Sequence, residues 1–284
     1  MLFDSYGSYI FYDGAMGTML QKSGLEPGRR PDLMNMTAPG TVESIHRMYV
    51  EAGSDIICTN TFGANSIALG GTGYSPEDII TTAVAIAKRA CGSTAKAAID
   101  IGPLGPLLEP IGDLGFDAAY DLFKEQALAG AKAGADIAAI ETMSSILELK
   151  AAMLAVIENT NLPVLASMTF EKNGRTYLGA TPEEFAEMAA QLGAAAVGIN
   201  CSLEPAEMFS TVKRIADTTN LPLIIKPNAG LPDSATGQYS VDPREFARQM
   251  ARFAGFGACN RQLIVGGCCG TTPEYIQELK KVFL

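Results

Sequence analysis

The chain has 284 residues, 48% of them hydrophobic and 18% charged, with Gly 29 and Pro 15. That length fits two ordinary domains or one large α/β barrel, and it buries roughly three quarters of its unfolded surface without disulfides. Thirty-one acids against 21 bases, net −10, argue against nucleic acid and anionic membranes, which demand a positive face.

Strands are predicted in chain order at Tyr9–Tyr12, Asp55–Thr59, Ala97–Ile101, Asp136–Ile140, Pro163–Met168, Ala195–Ile199, Pro222–Ile225 and Gln262–Val265. Most are continuous apolar runs, as parallel strands covered on both faces should be. Helices are predicted between and after them, near 41–52, 76–91, 116–133, 144–159, 182–192, 205–218, 242–253 and 273–283. Thr181-Pro182-Glu183-Glu184 and Thr272-Pro273-Glu274 are start signals: a cap, proline at the first helical position, then acid in the first turn. Asn161-Leu162-Pro163 recurs as Asn220-Leu221-Pro222, and Gly134-Ala135 as Gly193-Ala194, at one shared offset that suits two βα units of about 30 residues each. Eight βα units predict a TIM (β/α)8 barrel over 1–284 as a single domain, with an open doubly wound sheet as the alternative. Gly70-Gly71-Thr72-Gly73 lacks a strand before it and a lysine after it, so it reads as a loop rather than a phosphate cradle.

No apolar run reaches the ~18 residues of a membrane span. Met1–Ile10 has neither a basic start nor an apolar core, so no secretory signal is expected. Six cysteines, two of them adjacent, are too few for a disulfide scaffold and suit a reducing cytoplasm. The one histidine, His46, falls in the helix at 41–52, whose apolar face is Ile45, Met48 and Tyr49. It reads as a surface or packing residue. A hydrolytic zinc site takes two or three histidines and a Ser–His–Asp triad needs one at a strand end, so imidazole catalysis is set aside.

Barrel chemistry collects at the C-terminal strand ends. In order these carry Asp13-Gly14-Ala15-Met16-Gly17-Thr18, Thr59-Asn60-Thr61, Asp100, Glu141-Thr142, Ser167 and Thr169, Asn200-Cys201-Ser202, Lys226-Pro227-Asn228, and Gly266-Gly267-Cys268-Cys269-Gly270. Thr61, Ser202 and Thr271 are expected to bond turns or cap helices. Cys201 and the Cys268–Cys269 pair lie two strands apart in a closed barrel, near enough for three thiols to converge. Neighbouring side chains of a strand point to opposite faces, so the backbone must turn for both Cys268 and Cys269 to serve one ion; Gly266, Gly267 and Gly270 allow it. Three thiolates make a tetrahedral Zn2+ site with one open position. Cys58, Cys91 and Cys259 are read as small apolar packing residues. Three thiolates around a dication leave one net negative charge. Such a centre generates hydroxide poorly but suits a fourth, substrate thiol, which coordination deprotonates. Thiol alkylation is therefore expected rather than hydrolysis. Glu141 is a candidate partner for a substrate ammonium, and the turn from Asp13 can aim N–H groups at a carboxylate. Asn228 is a candidate for the fourth zinc position when no substrate is bound.

Together these motifs resemble the homocysteine S-methyltransferase family, above all the homocysteine-binding modules of cobalamin-dependent methionine synthases. The likeness rests on Asp13–Thr18, Thr59–Asn65, Glu141-Thr142, Gly198–Ser202, Pro227–Pro232 and Gly266–Pro273, in family order across almost the whole chain. Cys58 departs from it, since many members carry an acid there. The resemblance implies a TIM barrel, zinc on Cys201, Cys268 and Cys269, homocysteine as acceptor and methionine as product. It puts Glu141 on the ammonium and the turn after Asp13, at Gly14, Ala15 and Met16, on the carboxylate; Asp13 itself is read as an orienting acceptor within that turn. Because the chain ends at Leu284, after the eighth helix, the methyl is expected from elsewhere: methylcobalamin on a separate corrinoid protein docking over the rim. The alternatives are S-methylmethionine or S-adenosylmethionine as donor, another acceptor thiol, or a zinc-binding thiol sensor that is not an enzyme.

Overall fold

A computed structural model describes residues 6–26, 28–233, 237, 239–257 and 261–284; Cys259 lies outside them. Eight parallel strands form one sheet: β1 Tyr9–Phe11, β2 Ile56–Cys58, β3 Lys96–Ile101, β4 Ile137–Met143, β5 Val164–Met168, β6 Ala196–Asn200, β7 Leu223–Lys226 and β8 Leu263–Val265. Each pairs with its sequence neighbour from β2 to β8, and β8 pairs with β1. The ring closes at Tyr12 opposite Ile56. Around that seam Asp55 N–H donates to Phe11 O at 2.7 Å and Phe11 N–H to Asp55 Oδ2 at 2.8 Å. This closure decides for the barrel over the open sheet.

The predicted helices are all present, as α3 Pro39–Ala52, α4 Pro76–Cys91, α5 Phe116–Ala133, α6 Ile146–Asn159, α7 Pro182–Gln191, α8 Pro205–Thr218, α9 Pro243–Met250 and α10 Pro273–Phe283. Two more, α1 Met16–Lys22 and α2 Met34–Thr37, lie between β1 and α3. They are short and carry no side-chain cap. α9 stops early and passes into a 3-10 turn over Ala251–Gly257. The Thr181 signal is a full capping box, Thr181 Oγ1 accepting the Glu184 N–H at 3.2 Å and Glu184 accepting the Thr181 N–H at 2.8 Å. Thr272 stands at the cap of α10 without such a bond. Among the described residues no helix is long and apolar enough to cross a membrane.

Inward and outward side chains alternate along each strand. The inward set (Ile10, Ile56, Ala98, Ile137, Leu165, Ala196, Ile224 and Ile264 among others) fills the barrel, and the outward set packs under the helices. Two residues beyond Ala98, Ala139, Leu165 and Ile224 the same inward columns become Asp100, Glu141, Ser167 and Lys226, all buried. The apolar plug thus ends in a polar floor at the C-terminal mouth.

His46 is fully buried in α3, and neither ring nitrogen has a partner among the described residues. It is a packing residue, and burial depresses its pKa from 6.5 to about 4. The unfolded chain therefore takes up the proton first as pH falls, and stability declines between about 6.5 and 4, by about 3 kcal/mol in all. His46→Leu should flatten that acid limb in denaturant titrations; an unchanged slope would contradict a neutral buried imidazole.

Candidate metal and substrate site

Cys201, Cys268 and Cys269 meet at the mouth of the barrel. Their sulfurs all lie within 4.8 Å of one another, with Cys201 Sγ and Cys269 Sγ 3.8 Å apart. Ligands ~2.3 Å from a tetrahedral zinc sit about 3.8 Å from each other, so the spacing fits the ion. All three thiols are part-buried and unpaired.

Local backbone geometry produces this convergence. Cys201 and Ser202, past the end of β6, adopt left-handed conformations, φ 61° and 57°. Such residues are strained without glycine and persist where surroundings over-determine them. Here Cys201 N–H donates to Lys226 O at 3.0 Å, and Asn228 N–H to Leu203 O at 2.9 Å. Beyond β8 the chain leaves the ladder: Gly267 N–H donates to Asp13 O and Cys268 N–H to Pro227 O, then a turn closes from Thr271 N–H to Cys268 O at 3.1 Å. Thr271 Oγ1 also donates to Cys268 O at 2.7 Å, the turn role expected of it. Gly270 supplies a positive φ of 84°. Gly267 is needed for a different reason, since a Cβ there would lie 2.4 Å from Thr271.

In this cluster the first proton leaves easily and the others do not. Thiol donors from Cys268, then Cys269, hold Cys201 well below the ordinary thiol range, and both donors are pushed up in return. Asn200 ties the sulfurs to the neighbouring strands. Its Oδ1 accepts the Thr142 N–H and the Ser167 hydroxyl, both at 2.8 Å, while its Nδ2 faces Thr142 Oγ1 at 2.7 Å and Cys268 Sγ at 3.9 Å. Asn228 is beside the cluster, but its Oδ1 accepts the Cys269 N–H at 3.1 Å. In this geometry it braces the turn.

A cavity of about 400 Å3 opens beneath the thiols, lined by Asp13–Thr18, Cys58, Asp100, Glu141, Lys226 and others. Gly14, Ala15 and Met16 form its wall at the uncapped start of α1. Asp13 is 1% exposed; its Oδ2 accepts the Cys58 N–H at 2.7 Å and its Oδ1 has no partner among the described residues. Burial lifts its carboxyl to about 7 despite Lys226. Glu141 is present as expected, but its Oε2 is 2.6 Å from the ammonium of buried Lys226. Lys226 also lies 4.1 Å from the Tyr12 ring and 3.9 Å from Cys58 Sγ. Burial alone would lower its pKa; Cys58 first, then Glu141, Tyr12 and Asp13, outweigh that and push it well above the ordinary lysine value. Cys58 is buried as expected, and it lines the cavity as well as packing. Cys91, the last residue of α4, is buried.

Lys226 and Asp100 were given no role by sequence reading. The usable signal was parity: each stands two residues past an inward apolar residue, so each must enter the barrel.

Fold and site define a (β/α)8 barrel with a thiol trio on its catalytic rim. The family model described as homocysteine S-methyltransferase matches residues 10–283, and the chain belongs to that family. It is 35% identical to the methionine synthase of Mycobacterium tuberculosis and 34% to that of Mycobacterium leprae, in each case over 94% of this chain. It spans 24% of the length of those curated relatives. Among solved structures, the metallated form of the homocysteine methyltransferase MmuM from Escherichia coli superposes with TM-score 0.83, covering 99% of both chains at 21% identity. Its apo form gives 0.75 over 99% of this chain. At that identity the likeness bears on the fold.

Lys226→Met would leave Glu141 buried without its counter-ion, which costs about 3–5 kcal/mol. Denaturant unfolding should show that loss, and Lys226→Met with Glu141→Gln should recover most of it. Equal stability of wild type and the single variant would mean the pair is not buried as described.

Proposed function

We propose that the chain transfers a methyl group to the thiol of homocysteine, giving methionine, with zinc held by Cys201, Cys268 and Cys269. The observation that carries this reading is the trio of sulfurs, spaced for one tetrahedral ion, over a cavity floored by carboxylates. Bound there, zinc would supply the charge that ionises an incoming thiol at neutral pH. The chain's own residues do the rest. Asn200 and the Cys268–Thr271 turn hold the sulfurs in place; in the wall at Gly14, Ala15 and Met16 the Ala15 N–H is bonded to Thr271 O at 3.3 Å and fixes the turn, while the N–H groups of Gly14 and Met16 on either side of it are offered to the α-carboxylate. Asp13 orients that wall through its bond to the Cys58 N–H. Glu141 lies on the side of the cavity where the α-amino group belongs. The substrate sulfur then faces the open mouth, positioned to take the methyl carbon.

The donor we favour is methylcobalamin on a separate corrinoid protein. The methionine synthase relatives support it. So does the rim, where Phe62, Ile111, Tyr177 and Leu231, each on a loop that follows a strand, stand exposed. Apolar groups in water around a site mouth suit a macromolecular visitor. The unpaired thiols suit a reducing compartment such as the cytoplasm.

Metal analysis should find one zinc per chain, and Cys201→Ala should lose it. The zinc-loaded chain should form methionine from homocysteine and methylcobalamin, free or protein-bound. Turnover with S-methylmethionine but not methylcobalamin would overturn the donor, and no metal in wild type would overturn the site.

A further inference from the structure

Among the described residues two groups of side chains are spaced to hold a metal ion. One is the thiol trio at the rim. The other is Cys58, Asp100 and Glu141 in the cavity, their ligand atoms all within 4.8 Å of one another. This lower group comes from three neighbouring strands, β2, β3 and β4, and each member is buried. One sulfur and two carboxylates are donors that zinc also accepts. Ionised, the two groups carry equal negative charge. Asp100 adds a second sign of a cation site. It is 8% exposed, and its Oδ1 is buried without a hydrogen-bond partner among the described residues. Native interiors seldom leave a buried acceptor unserved.

Two of the three donors already face a cation. Lys226 Nζ is 2.6 Å from Glu141 Oε2 and 3.9 Å from Cys58 Sγ, and it lies 4.1 Å from the centre of the Tyr12 ring. Its side chain is 4% exposed and rises from β7, the strand between those that carry the trio. A divalent ion on the lower donors would stand within a few ångströms of this ammonium, where two desolvated cations repel strongly. Expelling the ammonium would strand a buried charge. Both donor groups line one cavity, so an ion entering the mouth meets both. An ion in the lower group would also fill space that an organic acceptor needs.

We propose that Lys226 is a resident cation that closes the Cys58–Asp100–Glu141 group to metal, confining a divalent ion to Cys201, Cys268 and Cys269. The inference goes beyond methyl transfer and concerns which of two donor sets takes the ion. The guard works by charge and by occupancy together, so removing the ammonium removes both obstacles.

The test is zinc titration of the full chain at about pH 8, where ligands shed their protons more easily, read by calorimetry and metal content. Wild type should take one zinc per chain. Lys226→Met should take a second at least about a hundredfold more tightly than wild type does, as the penalty for displacing a buried ionic partner implies. Adding Asp100→Asn should remove that second ion and spare the first. Cys201→Ala with Lys226→Met should bind one zinc where Cys201→Ala alone binds none, which reads the lower group without the trio. Zinc should also restore the melting temperature that Lys226→Met loses, because an ion that binds only the folded chain stabilises it. Lys226→Gln, neutral but still able to donate to Glu141, is the second variant and should behave alike. One zinc for both Lys226 variants, or two of equal affinity for wild type, would overturn the inference and leave the proposed function standing. Wild type without zinc would overturn that function, while the two Cys201→Ala chains would still decide this inference.

Discussion

Two strand spacings, about 9.6 Å in all, separate β6 from β8, yet their cysteine sulfurs come within 3.8 Å. Regular strand ends cannot achieve this. The gap closes because both chains bend toward β7: β6 through left-handed Cys201 and Ser202, β8 through the turn from Cys268 to Thr271. Lys226 and Pro227 carbonyls on the intervening strand take the N–H groups of Cys201 and Cys268. β7 is thus the template that holds the strained ends in register. A metal would meet a preformed set of ligands and would owe little ordering entropy on arrival.

Below the sulfurs the problem is one of charge. Acids on the inward face of the barrel are largely withdrawn from water, so each is stabilised by finding a cation or by staying protonated. Lys226 satisfies Glu141. Among the described residues Asp13 is left with one unserved oxygen, its carboxyl raised to about 7, and Asp100 with another unserved oxygen. The cavity is therefore richer in acceptors than in donors. That imbalance favours a ligand bringing a positive group into the barrel while its sulfur stays at the rim.

Much of this was legible in the chain itself. The alternation of apolar runs with helical segments located every strand to within a few residues, because a doubly covered parallel strand is apolar throughout. The cysteines and Glu141 could be placed at strand ends for the same reason. α1 and α2 escaped notice because each is short and uncapped. The turn to a 3-10 conformation after α9 was likewise invisible to periodicity, since three-residue and 3.6-residue spacings barely diverge over one turn. β4 ran three residues past its expected end, carrying Glu141 and Thr142 into the strand with a register shift between Ile140 and Met143.

By itself, the order of residues determined that there would be eight βα units, which ends of them would be polar, and which thiols could share an ion. Those follow from local periodicity and from strand adjacency, and both are properties of the chain alone. Tertiary structure decided which polar groups meet. Glu141 pairs with Lys226 inside the cavity, Asn228 turns its oxygen to the Cys269 N–H, and Asp100 Oδ1 is left without a donor among the described residues. Such pairings join residues tens of positions apart across a closed ring, and they depend on a few ångströms of strand stagger that no local pattern encodes.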